Sequence, residues 1–512
     1  MTGCRKPLHD AQHTGYTPEE PVGPWSYAWS WNGSDAQGKE TGNFYDGPRR
    51  DARTVTGHGR IYVPSGAQGF YALNVHTGDE LWHFEPAAVS ATPAYDAASD
   101  SLFAPASDGT VYKLNADTGA VLGTFDTQQA IARPLLLAEN TLFVVTTDGQ
   151  LFSIDANRMQ PNWVYASGAA GSTPAAYSAL HKLVVYGTGD LYVQAVDAAT
   201  GTLRWKVKPT PRTTDEMCGM YNYDYRWPVI ADAAGIVFMR LRNPWNAESA
   251  GQDNAEVQQY LIAHPELQSL FALNLTDGSP KFIPNIAPDG SDQRPTCNGA
   301  TALFHAISAA PVVKTLPEGK QVAYIPFRTN QPPYDSRWDA TMGEMVLDDD
   351  TVPGYKAGEL RFIQFASEIP TNMITDEIHT ISMAGSTIFH HHVFDVQSYT
   401  ILDRSPDLGS SFAAMIPTRA NPLIVRWWNL LNGEPSNPDA ATHFGNPVET
   451  GDRYYGEAFW IYQGALQKEM VFNPDLPPLG GEEGSANRYV YVSNGMIIVQ
   501  GPRGDLFALR HS

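Results

Sequence analysis

The stretch Arg60–Phe84, RIYVPSGAQGFYALNVHTGDELWHF, decides the fold because it recurs. It returns as SLFAPASDGTVYKLNADTGAVLGTF (101–125), TLFVVTTDGQLFSIDANRMQPNWVY (141–165) and KLVVYGTGDLYVQAVDAATGTLRWKV (182–207). The apolar anchors Ile61, Leu102, Leu142 and Leu183 are spaced 41, 40 and 41 residues apart. The polar turn positions Asn74, Asn115, Asp155 and Asp197 are spaced 41, 40 and 42. Two columns holding one period mark a structural repeat. Each unit reads as a short apolar strand, a turn such as Asp108-Gly109, an alternating strand, an Asx/Thr-Gly turn and a strand that often carries Trp (Trp82, Trp163, Trp205). The segment before each anchor (SATPAYD, AIARPLLL, STPAAYS) adds a strand. Four antiparallel strands in 40 to 45 residues is the pattern of a β-propeller blade.

The repeat decays but continues. GIVFMRL (235–241) with SLFALNLTDGSPKF (269–282) supplies the middle strands of a fifth blade, and QVAYIPF (321–327) with ELRFIQF (359–365) those of a sixth. The C-terminal segment ends on Leu506-Phe507-Ala508-Leu509, a third strand without a fourth, whereas WSYAWSWNG (25–33) is an outer strand without a blade. Pairing them removes an exposed sheet edge. The expectation is therefore an all-β, closed propeller of four-stranded antiparallel blades. Eight blades are favoured and seven are the alternative, because 366–404 can be phased in two ways. Residues 1–24 read as a leader and tether, 25–404 as seven blades plus the closing strand, 405–485 as an inserted cap or subdomain with helix-compatible spacing in RYYGEAFWIYQGALQKEMVF (453–472), and 486–512 as the last blade.

Composition bounds the function. A net charge of −21 excludes the basic surface that nucleic acid or anionic lipid requires. No run of 18 or more apolar residues is present, so no helical span is expected. Twelve Trp and 24 Tyr beside only 17% charged residues suit a protein of the bacterial cell envelope, periplasmic or extracellular. Thr2-Gly3-Cys4 and the polar stretch after it resemble the end of a bacterial lipoprotein signal, which implies lipidation of Cys4. Export in turn suits a disulfide between Cys218 and Cys297.

The column Asn74…Thr77-Gly78…Trp82, repeated as Asp197…Thr200-Gly201…Trp205, resembles the pyrroloquinoline-quinone-like propeller repeat. That superfamily includes quinoprotein alcohol dehydrogenases and the propeller lipoprotein of the outer-membrane barrel-assembly machinery. The resemblance implies that Trp82, Trp163 and Trp205 lock adjacent blades together. For the dehydrogenases it also implies pyrroloquinoline quinone, a vicinal disulfide against it, and a Ca²⁺ site with a catalytic Asp. This chain has no adjacent cysteines.

The insertions 208–225, 242–268, 284–307 and 328–358 all fall on one propeller face, which is thereby the candidate functional surface. Tyr223, Asp224 and Arg226, with Arg337, Trp338 and Asp339, are the candidate ligand-binding residues for a protein or glycan partner. Glu344 and Asp348–Asp350 are oxygen donors suited to Ca²⁺, although their spacing matches no known calcium loop. In STIFHHHVFDV (386–396), strand alternation puts His390 and His392 on one face, a two-ligand pair for zinc or manganese that needs a third ligand from His305, His379 or His443. No phosphate loop, nucleophile elbow or His-Glu-x-x-His pair occurs. The expected function is a binding scaffold without chemistry of its own. The alternative is an enzyme at the funnel, either a divergent quinoprotein oxidoreductase or a metal-assisted polysaccharide lyase or hydrolase.

Overall fold

The computed structural model describes residues 10–19, 25–31, most of 52–216, 222–223, 228–241, 254–284, 310–328, most of 340–365 and the strands between 380 and 511. Among these residues the chain forms seven four-stranded antiparallel blades. Blades 1 to 4 span Val55–Phe84, Ala94–Asp126, Leu136–Ala166 and Ala176–Val207. Blade 5 spans Val229–Phe282 and blade 6 spans Val312–Phe362. The last blade pairs Trp25–Trp31 with Leu506–His511, Met496–Gln500 and Tyr489–Ser493. The N-terminal strand thus supplies the missing outer strand, with Trp29 opposite Ala508.

The blade count is the alternative rather than the favoured eight. Between blade 6 and the last blade, Thr380–Ala384, Thr387–His391 and Asp395–Asp403 belong to an eight-stranded sheet that also takes in Leu423–Asn429, Glu457–Gln463 and Gln467–Asn473. The helix expected within 453–472 is two paired strands, with Trp460 opposite Met470. Its aromatic and β-branched residues fit a pleated surface, and cross-strand pairing overrides a spacing that was only compatible with a helix.

The sixth blade also corrects the sequence reading. Its third strand is Ala340–Val346, paired along Gln321–Arg328, and Leu360–Phe362 is its fourth strand. The third strand lies inside what reads as a loop insertion, so Glu344 is a fully buried strand residue rather than an exposed calcium ligand. Glu344 puts a polar residue beside the buried Met345, Val346 and Leu347, which hides the strand in the sequence.

The first strands of successive blades lie side by side around the centre. Apolar side chains of adjacent sheets interdigitate between them. Ala94, Phe103 and Val111 of blade 2 pack with Leu142, Val144 and Ile154 of blade 3, for example. A second joint runs around the rim. Trp82 Nε1 donates to Ala116 O at 3.0 Å, Trp163 Nε1 to Ala198 O at 3.1 Å and Trp205 Nε1 to Leu275 O at 2.7 Å. Each indole thereby covers the Thr-Gly-type turn of the next blade. Trp29 of the last blade does the same to blade 1, donating to Val75 O at 2.9 Å, and its cluster joins Ile61 and Tyr71 to Tyr491 and Ile498.

Candidate functional site

Two features stand out once the blades are in place: the insertion-bearing face and the centre. On the face, the connection inside blade 5 contains a helix, Asn254–Ala263, followed by a 3-10 turn, Pro265–Leu267. Arg212, in the connection from blade 4 to blade 5, donates through Nε to Glu266 O at 3.0 Å and through Nη1 to Glu216 at 3.0 Å. Gln258 on the helix donates to Ile283 O at 2.6 Å, where the next inter-blade connection begins. Three connections are therefore tied into one surface, and Ile262 on the helix is 54% exposed upon it.

Tyr223, the one candidate ligand-binding residue in the described set, is buried. Its hydroxyl donates to Leu191 O at 2.8 Å, its backbone bridges Leu241, and its ring packs so close to Gly187 that a Cβ there would lie 2.8 Å away. Burial pushes its phenol well above the ordinary range, aided by the negative charge of Asp190, so it acts as a neutral wedge between blades 4 and 5. Asp224, Arg226, Arg337, Trp338, Asp339, His392, Cys4, Cys218 and Cys297 lie outside the described residues. His390 is placed by its backbone alone, opposite Ile381 and Gln397 in the strand Thr387–His391. Among the described residues no group of three His, Cys, Asp or Glu side chains is placed to hold a metal ion.

One cluster has the residue types of a hydrolase relay. Ser178 Oγ donates to Asp232, His181 Nδ1 lies 3.0 Å from Ser178 Oγ and 3.4 Å from Asp232 Oδ1, and Asp232 also accepts the amides of Ala179 at 2.9 Å and Leu180 at 3.0 Å. A relay needs the imidazole between hydroxyl and carboxylate, using both ring nitrogens. Here the carboxylate takes the hydroxyl directly and one nitrogen faces both groups. The arrangement caps a turn of blade 4 from blade 5, and it is architectural.

The centre is occupied by the chain's own leader. Ala11 O accepts the amide of Tyr177 in blade 4 at 2.8 Å, and Gln12 O that of Ile230 in blade 5 at 2.8 Å. Thr14 O accepts the amide of Val313 in blade 6 at 2.9 Å, and Gly15 O that of Met383 in the eight-stranded sheet at 2.9 Å. Tyr16 and Thr17 then pair in parallel with Met383 and Ala384, and Glu19 accepts the amide of Gly495 in the last blade. Over residues 10–19 the leader is therefore not a free tether. No repeat in the sequence marks this course, because most of the contacts are backbone carbonyls, which every residue owns.

A protein-family model described as "Outer membrane protein assembly factor BamB" matches residues 35–122 and 69–240. Among solved structures, BamB from Moraxella catarrhalis is 12% identical, with 96% of this chain and 98% of that chain covered and a TM-score of 0.44. A europium-containing methanol dehydrogenase is 13% identical, with 84% and 90% covered and a TM-score of 0.49. The quinohemoprotein alcohol dehydrogenase from Comamonas testosteroni is 12% identical, with 83% and 76% covered and a TM-score of 0.47. No curated protein matches in sequence. The family match over residues 35–240 agrees with the resemblance of the repeat column to the pyrroloquinoline-quinone-like β-propeller repeat, and the four-stranded blades are those the resemblance implies.

Proposed function

We propose that the protein is an exported, lipid-anchored propeller that binds a protein or glycan partner through its insertion-bearing face and performs no chemistry of its own. The observation that carries this reading is the tie between insertions. Arg212 and Gln258 hold three connections together and leave Ile262 exposed on a helix above the blades. Loops fixed on a rigid scaffold pay little ordering entropy on binding. The matched family's description as an outer-membrane assembly factor agrees with an envelope location and a protein partner. Among the described residues no helix is long and apolar enough to cross a membrane. Closure of the ring belongs to the same reading and draws on the seating of Trp29 on blade 1. A Cys218–Cys297 disulfide would staple two of the same connections.

A photocrosslinker placed at Ile262 in the full chain, expressed in its native host, is expected to trap one defined partner. The same group at Leu180, 69% exposed in a turn on the opposite face, is expected to trap none. Metal analysis and an absorption spectrum of the purified native protein complete the test. A stoichiometric quinone or metal overturns the non-catalytic reading and favours an enzyme.

A further inference from the structure

We propose that the inner wall of blades 4 to 6 and of the adjoining eight-stranded sheet is a binding site for an extended polypeptide, and that residues 10–17 are its tethered ligand. The site is a row of amide donors. Tyr177, Ile230, Val313 and Met383 each sit on the first strand of a different sheet, with that strand's free edge turned to the centre. A free strand edge takes an extended chain through its backbone groups. In this case each sheet contributes one or two bonds, so the occupant runs across four sheets instead of lengthening one. Only Tyr16 and Thr17 form a ladder, and it is two residues long.

The occupant is built as a self-contained ligand. Asp10 accepts the amides of Gln12 at 3.1 Å and Thr14 at 2.9 Å and also the Thr14 hydroxyl, so the leader satisfies part of its own backbone before it docks. This turn presents the carbonyls of Ala11, Gln12 and Thr14 outward to three different blades. Two side chains give the site its selectivity. Ala11, itself buried, enters the apolar cluster of Leu136, Tyr177 and Tyr186. His13, 1% exposed and at φ 61, places Nδ1 2.9 Å from Pro228 O. The ligand class is thus a short extended peptide with an Asp-x-x-x-Thr turn, a small apolar residue after the Asp and an imidazole. This assignment is independent of any partner on the insertion-bearing face.

The test separates the leader from the chain after folding. A specific protease site is inserted at Gly23 in the full chain, and the folded protein is cut there. The cut leader is expected to co-elute with the propeller. A labelled synthetic peptide of residues 8–20, in excess, is expected to replace it saturably at one per chain, as read by fluorescence anisotropy. Peptides carrying Asp10→Asn or His13→Ala are each expected to bind about tenfold more weakly, and a scrambled peptide not at all. Near-UV circular dichroism establishes that the cut propeller remains folded. A leader that departs from a folded propeller that no peptide re-enters overturns the proposal. A leader that stays and never exchanges is an integral strand, and overturns it equally.

Discussion

At the scale of single residues, the rim joints explain why the repeat keeps both Trp and Gly. Gly201 has φ 72, and a Cβ there would lie 2.7 Å from the Trp163 ring; Gly78, Gly119 and Gly278 stand in the same relation to Trp29, Trp82 and Trp205. Both the positive φ and the overlying indole exclude a side chain. Gly201→Val is therefore expected to lower stability by about 2 to 4 kcal/mol, read as a fall in the denaturation midpoint. The joint from blade 2 to blade 3 has the two roles exchanged. Gly123 stands in the Trp column, and Met159, at φ 53 and buried, stands in the Gly column. The Met159 side chain fills the space an indole would take, with Cγ 3.1 Å from a Cβ built on Gly123. Gly123→Trp alone is expected to destabilise, and Met159→Gly in the same chain to recover part of the loss. A double-mutant cycle should give a coupling of about 1 to 3 kcal/mol.

Asp100 makes a residue-scale prediction about pH. Burial pushes its carboxyl up, but hydrogen bonds from Tyr95 and Arg60 and the Arg60 charge outweigh this and hold it below the ordinary range. A carboxylate depressed on folding adds stability that is present above its unfolded pKa and is lost as pH falls through the folded one. Stability is thus expected to decline below about pH 4, and Asp100→Asn to flatten that decline. Because Asp100 is about a third exposed, at 35%, solvent screening keeps the effect modest. Urea titrations of both proteins across the acid range check it.

At the scale of elements, the insertions and the blades respond differently. The helix Asn254–Ala263 is tied to Ile283 through Gln258, and the 3-10 turn that follows it to the preceding inter-blade connection through Arg212. Arg212→Ala is expected to raise hydrogen exchange across 254–268 several-fold while moving the global melting temperature by less than about 2 °C, since local opening is separable from unfolding of the blades. Legibility also divides by element. Blades 1 to 4 were readable because two residue columns keep one period. Blade 6 was misphased because its third strand carries a buried carboxylate, Glu344, where the pattern calls for an apolar residue. The strands of 457–473 read as a helix because a short apolar run fits both periods, and only the neighbouring strand arbitrates.

At the scale of the whole molecule, the joint between the last blade and blade 1 is unlike the others, because its strand comes from the far end of the chain. Trp29 pairs with the C-terminal strand and caps blade 1. Trp29→Ala is expected to cost about 3 to 5 kcal/mol, and to broaden the unfolding transition as the first and last blades open before the rest. Calorimetry would show this as an early shoulder absent from the parent protein.

The sequence by itself determined the blade, its four strands and the use of Trp25–Trp31 as an outer strand, while the Trp-on-turn joints followed from the resemblance to the propeller repeat. The blade and its strands rest on side-chain periodicity and turn chemistry, which are written locally and repeated. The candidate site was less legible: Tyr223 reads as an exposed ligand residue, yet it is buried with its hydroxyl on Leu191 O. Only the tertiary structure decided the number of regular blades, the tie between insertions and the course of residues 10–19 through the centre. The leader's course in particular is set largely by backbone carbonyls meeting amides from four separate sheets. Backbone groups are identical at every position, so the repeat pattern of side chains does not announce it.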